Sequence, residues 1–284
     1  MQVQGRIHLL IIDPQNDFCG QVAPASADGA SDAGGSRRPA LPVSGADADM
    51  QRLAHFLRRA GPRLERIFVT LDQHHPVHIA NPAWWIGPDG AQPQAFTNIT
   101  GQDVRSGRWR ARNPAWQART LAYLEALEQG ARYALVVWPE HCLIGHWGAD
   151  LHSAVAEELD AWERRWLKLV EFLPKGSNPF TEHYSAVRAE VPDPADPATG
   201  CNRRLISALS EADAVIVAGE ALSHCVANTV RDIAGELPPG DIARFILLTD
   251  CTSSVAGFED LGTGFMQELC SRGMRSASSS DLVI

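Results

Sequence analysis

Reactive side chains follow several short apolar runs in this sequence of 284 residues. Cys225 comes shortly after one such run, where a helical pattern begins. The N-terminus of a helix favours a thiolate through its partial positive charge, and the thiolate is the attacking species. Although a free cysteine is more often a small buried core residue, Cys225 is the best candidate for a nucleophile among the six cysteines.

A cysteine hydrolase needs a base that takes the thiol proton and a positive group that holds the developing negative charge. Asp13 and Lys175 each follow a run that predicts a strand. Taken alone, Asp13 would be a cap or turn residue and Lys175 a solvated lysine. Their placement at strand ends together with Cys225 favours a catalytic group of three.

The segment after the second apolar run contains candidate metal ligands. His74 and His78 are four residues apart, and Asp72 lies two residues before the first of them. Such nitrogen and oxygen ligands suit zinc or a similar divalent ion, but histidines in loops are equally often solvated or cap a turn. His75 competes with them, so the spacing alone leaves the choice of histidine open.

The apolar runs and the patterns between them predict the fold. Predicted strands cover residues 7–12, 66–71, 133–138, 166–172, 214–219 and 245–249, and predicted helices about 47–60, 115–129, 148–162, 202–211, 223–235 and 258–271. Continuous apolar strands that alternate with helices are typical of a parallel sheet covered on both faces. We therefore expect a three-layer α/β/α sandwich with a mainly parallel sheet of about six strands. Ligands of such sheets bind beyond the carboxyl ends of the strands.

We expect one domain over residues 1–284, with loop insertions at about 21–46 and 79–114. The first insertion is rich in Ala, Gly, Ser and Pro, which is typical of a surface loop. The second contains Trp84, Trp85, Phe96 and Trp109. That many aromatic residues indicate an ordered insertion that serves as a lid or a subunit contact.

Composition and charge restrict the partners. A net charge of −9 without a Lys/Arg-rich run argues against nucleic acid and anionic membrane as partners. No apolar run approaches the roughly 20 residues of a membrane span, and the N-terminus lacks the features of a signal peptide. The cysteines form no CxxC pair, which fits a reducing compartment. We expect a cytoplasmic protein with a small-molecule ligand, and the pattern leaves a homo-oligomer open without specifying a symmetry.

Separate segments resemble the nicotinamidase branch of the isochorismatase-like hydrolases. They are LIIDPQNDF (residues 10–18), DQHHPVH (72–78), WPEHC (138–142), PKGSNPFTEHYSAV (174–187) and VAGEALSHCV (217–226), which we call the nucleophile turn. Together they are spread over nearly the whole chain outside the two insertions. The resemblance implies an isochorismatase-like hydrolase domain.

Site residues follow from the same resemblance, position by position. It implies Asp13 as the catalytic acid and base, Lys175 as its cationic partner and Cys225 as the nucleophile. It implies Phe18 as a wall of the substrate pocket and Trp138 as a stacking partner for an aromatic ring. The implied ligands of a divalent metal, with zinc as the first choice, are Asp72, His74, His78 and His141. In the family this metal is thought to anchor the ring nitrogen of the substrate.

The nucleophile turn departs from the family pattern. Nicotinamidases usually place an apolar residue, then Ala, Thr and an acidic residue, before the nucleophile, whereas this chain has Glu220, Ala221, Leu222 and Ser223. The resemblance implies a cis peptide between Glu220 and Ala221, which would aim the N–H groups of Ala221 and Cys225 at an oxyanion.

The resemblance implies hydrolysis of nicotinamide to nicotinate and ammonia through a thioester. A related amidohydrolase of a ureido or maleamic amide and a catalytically inactive binding relative are the alternatives. A vinyl ether hydrolase of the isochorismatase type is disfavoured, because the resemblance implies no cysteine at position 225 in those enzymes. A nucleotide-binding Rossmann protein is disfavoured as well, because no GxGxxG follows the first predicted strand.

Overall fold

The computed structural model describes residues 1–20, 37–130 and 132–284. Its strands are β1 (Ile7–Ile12), β2 (Leu64–Asp72), β3 (Trp85–Ile86), β4 (Asn98–Ile99), β5 (Arg110–Ala111), β6 (Leu135–Val136), β7 (Glu171–Lys175), β8 (Ala214–Gly219), β9 (Phe245–Leu248) and β10 (Arg275–Ala277). Six of them form one parallel sheet in the order β10-β9-β8-β1-β2-β7. Helices flank this sheet, so the predicted three-layer α/β/α sandwich is confirmed.

The helices agree closely with the helical patterns of the sequence. They are α1 (Asn16–Cys19), α2 (Ala46–Ala60), α3 (Gly101–Arg105), α4 (Gln117–Gly130), α5 (Ser153–Trp166), α6 (Arg203–Ser210), α7 (Ala227–Glu236) and α8 (Glu259–Ser271). A π-helical turn, Leu222–Val226, precedes α7. Helix α2 packs against α5, and α8 packs against the π-helical turn and α7.

The centre of the core is the group of strands β8, β1 and β9. All residues of these three strands are buried. Strand β1 lies between β8 and β2, and its neighbours run parallel to it. Their continuous apolar sequences therefore match strands that are covered on both faces.

Two predicted strands were placed wrongly. Within 133–138 only β6 is a strand, and it pairs antiparallel with β4 of the second insertion instead of joining the sheet. Within 166–172, helix α5 continues to Trp166 and ends at Leu167, whose φ is 51°. Strand β7 begins only at Glu171, and the side chains of Leu167 and Leu169 are 91% and 81% exposed. The sixth strand of the sheet is β10, whose short sequence has no apolar run.

The second insertion is folded against the sandwich. Trp84 and Trp85 are buried, and the Trp84 ring stacks on Trp116 at a centroid distance of 4.6 Å. The Phe96 ring meets Trp138 edge to face at 5.8 Å. A role for this insertion as a lid or a subunit contact stays a prediction. Residues 21–36 of the first insertion lie outside the described residues.

Within the described part of the chain, no helix is both long and apolar enough to span a membrane.

Candidate active site

The carboxyl ends of four parallel strands bring the predicted catalytic residues together. Asp13 directly follows β1, and β2 and β7 end with Asp72 and Lys175, which are paired in register. Cys225 follows β8 through the nucleophile turn. Since β1 lies between β2 and β8, these side chains converge at one edge of the sheet.

The Lys175 ammonium is the centre of this group. Its Nζ lies 2.9 Å from Oδ2 of Asp13, 3.0 Å from Oδ1 of Asp72 and 3.7 Å from Sγ of Cys225. It also donates to the carbonyl oxygen of His183 at 3.0 Å. All four of the ionisable groups are buried. The structure thus brings together the three residues predicted to be catalytic and adds Asp72 to them.

A second partner fixes the Asp13 carboxyl. The Thr70 hydroxyl donates to Oδ1 of Asp13 at 2.5 Å and accepts the Asp13 N–H at 3.0 Å. Burial raises the pKa of Asp13, while Lys175 and the Thr70 hydrogen bond act in the opposite direction. A carboxyl group with a raised pKa is suited to accept a proton and return it.

The charges of the site depend on one another. Burial would lower the pKa of Lys175, but the carboxylates of Asp13 and Asp72 raise it well above its ordinary value. Burial raises the pKa of the Cys225 thiol well above its ordinary value, and Lys175 acts against this increase. The thiol and the Asp13 carboxyl group both contact the Lys175 ammonium. Cys225 therefore rests as a neutral thiol beside a carboxyl group and an ammonium group.

The nucleophile turn differs in detail from the helix N-terminus that the sequence predicted. Cys225 lies within the π-helical turn, before the first residue of α7. The peptide bond between Glu220 and Ala221 is cis, as the resemblance implied. The Glu220 N–H donates to the carbonyl oxygen of Ile12 at 2.7 Å, and the Leu222 N–H donates to that of Ser253 at 2.8 Å.

Asp72, His74 and His141 form a candidate metal site. Oδ2 of Asp72 lies 3.0 Å from Nε2 of His74 and 3.5 Å from Nε2 of His141. The three ligand atoms lie within 4.8 Å of one another, and all three residues are buried. The second ring nitrogen, Nδ1, lies 3.0 Å from the Gly176 carbonyl oxygen in His74 and 2.8 Å from that of Pro139 in His141.

Backbone contacts at Nδ1 hold both Nε2 atoms toward the carboxylate, as is usual for histidines that bind metals. The donor set therefore fits a divalent ion such as zinc.

The other histidines of this segment lie outside the group. Nε2 of His78 lies 3.1 Å from the Thr181 carbonyl oxygen, and its Nδ1 accepts the Ala80 N–H at 3.2 Å. Both ring nitrogens of His78 are thus used by the backbone. The side chain of His75 is exposed.

A cavity opens from the thiol past the metal ligands. It is lined by Phe18, Leu41, Asp72, Trp138, His141, Glu182, Tyr184, Ala221, His224, Cys225 and Val255. Phe18 and Trp138 are at the positions that the resemblance implied.

Several residues that line the cavity were not predicted as site residues. Tyr184 accepts a hydrogen bond from Nε1 of Trp138 at 2.9 Å, and the His224 ring meets Trp138 edge to face at 5.2 Å. Glu182 and Tyr184 belong to the segment that placed Lys175, and His224 precedes Cys225, so these segments contained the signal. Leu41 and Val255 come from distant parts of the chain that no motif marks.

No family model matches the sequence, and no curated protein matches it. Solved structures do match over nearly their whole length. A nicotinamidase/pyrazinamidase of Acinetobacter baumannii has a TM-score of 0.60 and 19% identity, with 97% of each chain covered. The yeast nicotinamidase bound to the inhibitor nicotinaldehyde has a TM-score of 0.60 and 17% identity, covering 96% of this chain and 99% of its own.

This chain has the nicotinamidase fold. A pyrazinamidase of Pyrococcus horikoshii in complex with zinc shares it, with a TM-score of 0.53, 17% identity and coverage of 96% of this chain and 99% of the other. The resemblance stated from the sequence motifs is thereby confirmed for the fold. Within this nicotinamidase fold, the reactive residues stand at the carboxyl edge of the sheet.

Proposed function

We propose that this protein is a cysteine amidohydrolase that converts nicotinamide to nicotinate and ammonia. One observation carries the proposal: a buried lysine ammonium contacts the candidate base Asp13, the candidate metal ligand Asp72 and the candidate nucleophile Cys225. A structural ion pair would not require a thiol at its third contact. The confirmed fold is the one found in nicotinamidases, which supports the same chemistry.

The first half of the reaction forms a thioester. Asp13 takes the proton of Cys225, and the thiolate sulfur attacks the amide carbonyl carbon. The tetrahedral intermediate then expels ammonia, which leaves with the proton from Asp13. The N–H groups of Ala221 and Cys225 are the proposed donors to the oxyanion.

The second half regenerates the thiol. Asp13 takes a proton from water, whose oxygen attacks the thioester carbonyl carbon. The carbon–sulfur bond breaks, the carboxylic acid product leaves, and Cys225 recovers its proton from Asp13. Lys175 stabilises the thiolate at both points where it forms, because its ammonium is 3.7 Å from the sulfur.

We propose that Asp72, His74 and His141 hold a divalent metal, with zinc as the first choice. A bound ion would offer an open coordination position to a ring nitrogen of the substrate. Asp72 and His141 line the same cavity as the thiol, which supports this role. The zinc-bound pyrazinamidase with the same fold supports the choice of metal.

The cavity supports a small aromatic amide as substrate. Trp138 and Phe18 provide flat apolar walls beside the Cys225 thiol, as a planar ring would require. The yeast nicotinamidase with the same fold binds the inhibitor nicotinaldehyde, which has an aromatic ring.

The decisive experiment measures ammonia release from nicotinamide. We expect turnover by the wild-type protein, loss of turnover in Cys225→Ala and wild-type turnover in Cys270→Ala, because Cys270 is an exposed cysteine away from the cavity. Circular dichroism should show that both variants are folded. Turnover that persists in Cys225→Ala would contradict the mechanism.

A wild-type protein that releases no ammonia from nicotinamide would contradict the proposed substrate. Small ureido and maleamic amides would then be assayed in the same way. Absence of ammonia release from all of these amides would indicate a catalytically inactive binding protein instead.

A further inference from the structure

Glu220 is a buried acid that the proposed reaction leaves unused. Its side chain is 0% exposed, and it precedes Ala221 directly. Oε2 accepts the Ser253 N–H at 2.9 Å, whereas Oε1 has no hydrogen-bond partner among the described residues. A buried carboxylate oxygen without a partner is strongly unfavourable, so Oε1 requires a proton or a donor.

A second carboxyl group lies next to Glu220. Asp49 of α2 accepts the Ser253 hydroxyl at 2.5 Å through Oδ2, and its Oδ1 forms an ion pair with Arg52. Ser253 binds both carboxyl groups, Glu220 through its N–H and Asp49 through its hydroxyl. Two buried carboxyl groups that share one serine do not both ionise. Since Asp49 has an arginine partner, the charge belongs to Asp49 and the proton to Glu220.

The surroundings of Glu220 agree with this assignment. Burial and then the neighbouring Asp49 raise the pKa of Glu220 well above its ordinary value, while the Ser253 N–H and then Arg52 act in the opposite direction. Cys19 of α1 is buried as well, and burial raises the pKa of its thiol well above its ordinary value. Neither neighbour supplies a positive charge in direct contact with Glu220.

Ser253 connects this acid pair to the nucleophile turn. Its N–H binds the Glu220 side chain, and its carbonyl oxygen accepts the Leu222 N–H at 2.8 Å. The residues on both sides of Ala221 are therefore held by Ser253. Through the Ser253 hydroxyl, the same residue is bound to Asp49 of α2.

We propose that Glu220 is a neutral carboxylic acid that donates from Oε1 to Asp49 and so positions the nucleophile turn at Ala221. Glu220 is a positioning residue, because it acts through the backbone of Ala221. This chain thus has an acid linked to α2 where the family pattern has an apolar residue. Its effect on turnover rests on the proposed function, whereas the location of its proton does not.

The location of the proton is tested by unfolding. A group with a raised folded-state pKa contributes stability that is complete below its ordinary pKa, about 4.3 for Glu, and that is lost as the pH rises through its folded-state value. Glu220→Gln is permanently neutral and keeps a donor for Asp49. We expect the unfolding constant of the wild type to rise about tenfold per pH unit relative to that of Glu220→Gln, starting near pH 5.

Chemical denaturation at pH 5, 6 and 7 measures this ratio directly. A ratio of the two unfolding constants that does not change with pH would overturn the assignment of the proton to Glu220. This readout needs no substrate, so it holds even where the proposed function fails.

The positioning role is tested by separating kcat from KM for nicotinamide. We expect Glu220→Gln to keep wild-type kcat. Glu220→Leu should lower kcat about tenfold or more with little change in KM, because loss of a whole oxyanion donor lowers kcat by about 10²–10³. Equal kcat in Glu220→Leu and the wild type would overturn the positioning role. Absence of ammonia release from the wild type would contradict the proposed function and leave the proton assignment to the unfolding data.

Discussion

At the scale of single residues, Asp72 connects two functions that the sequence treated separately. Its Oδ1 contacts Lys175 and its Oδ2 faces His74 and His141. Burial would raise the pKa of Asp72, but its neighbours His74 and Lys175 lower it well below its ordinary value. One carboxylate therefore orients the catalytic lysine and provides the anionic ligand of the candidate metal site.

This arrangement predicts which histidine affects metal binding. We expect His141→Asn to lower zinc affinity by about 100-fold or more, since even indirect partners of a ligand contribute 10- to 100-fold. His78→Gln should bind zinc as the wild type does, because both of its ring nitrogens already contact backbone groups. Competition with a chromophoric chelator measures both affinities. Loss of zinc in His78→Gln and retention in His141→Asn would reverse the assignment.

At the scale of elements, a glycine at the end of β8 lets the nucleophile turn leave the sheet close to β1. Gly219 has a φ of 112°, and a Cβ atom there would lie 2.0 Å from the carbonyl oxygen of Ile12. Only glycine fits this close approach between β8 and β1. The Glu220 N–H, which follows, uses the same carbonyl oxygen as its acceptor.

Gly219→Ala is therefore expected to destabilise the protein by the sum of two effects, each about 1–3 kcal/mol: a strained φ and overpacking. Gly235→Ala in α7 is the matched control. Nothing lies within 4 Å of a Cβ at that position, so this variant should gain about 0.5–1 kcal/mol from helix propensity. Denaturant titration gives both values. Equal stability of the two variants would contradict the role of Gly219.

At the scale of the whole molecule, buried ionisable groups make opposite contributions to acid stability. Burial lowers the pKa of His183 to about 3 and that of His224 to about 4. Burial also raises the pKa of Glu190 to about 7. The stability that the two histidines contribute falls as the pH drops below 6.5. The stability that Glu190 contributes rises as the pH drops below about 7. Comparing the wild type with a variant of one such residue isolates the contribution of that residue to stability.

We expect His183→Gln to remove one acid-sensitive contribution to the free energy of unfolding. The contribution of the wild-type histidine is complete above pH 6.5 and is lost as the pH falls toward about 3. The free energy of unfolding of the wild type should therefore fall by about 1.4 kcal/mol per pH unit relative to the variant between about pH 6 and 4. Denaturation with a chelator present measures this difference.

Some predictions about the whole molecule stay predictions. We still expect one domain over residues 1–284, a cytoplasmic location and a small-molecule partner. The oligomeric state stays a question for a measurement of mass in solution. The folded second insertion is the first candidate for a subunit contact.

The sequence by itself determined the α/β sandwich and most of the reactive residues. Apolar runs, helical patterns and short motifs are local signals, so the strands β1, β2 and β8 and the segments around Asp13 and Cys225 could be read directly. Even the cis bond at Glu220 followed from the resemblance of one short segment.

Only the tertiary structure decided which of these residues touch. Four features join residues from distant parts of the chain. They are the pairing of β6 with β4, the backbone contacts of His78, the shared carboxylate of Asp72 and the link from Glu220 through Ser253 to Asp49. No local pattern specifies such partners, because the free energy of a buried charge or a hydrogen bond depends on what the folded chain places beside it.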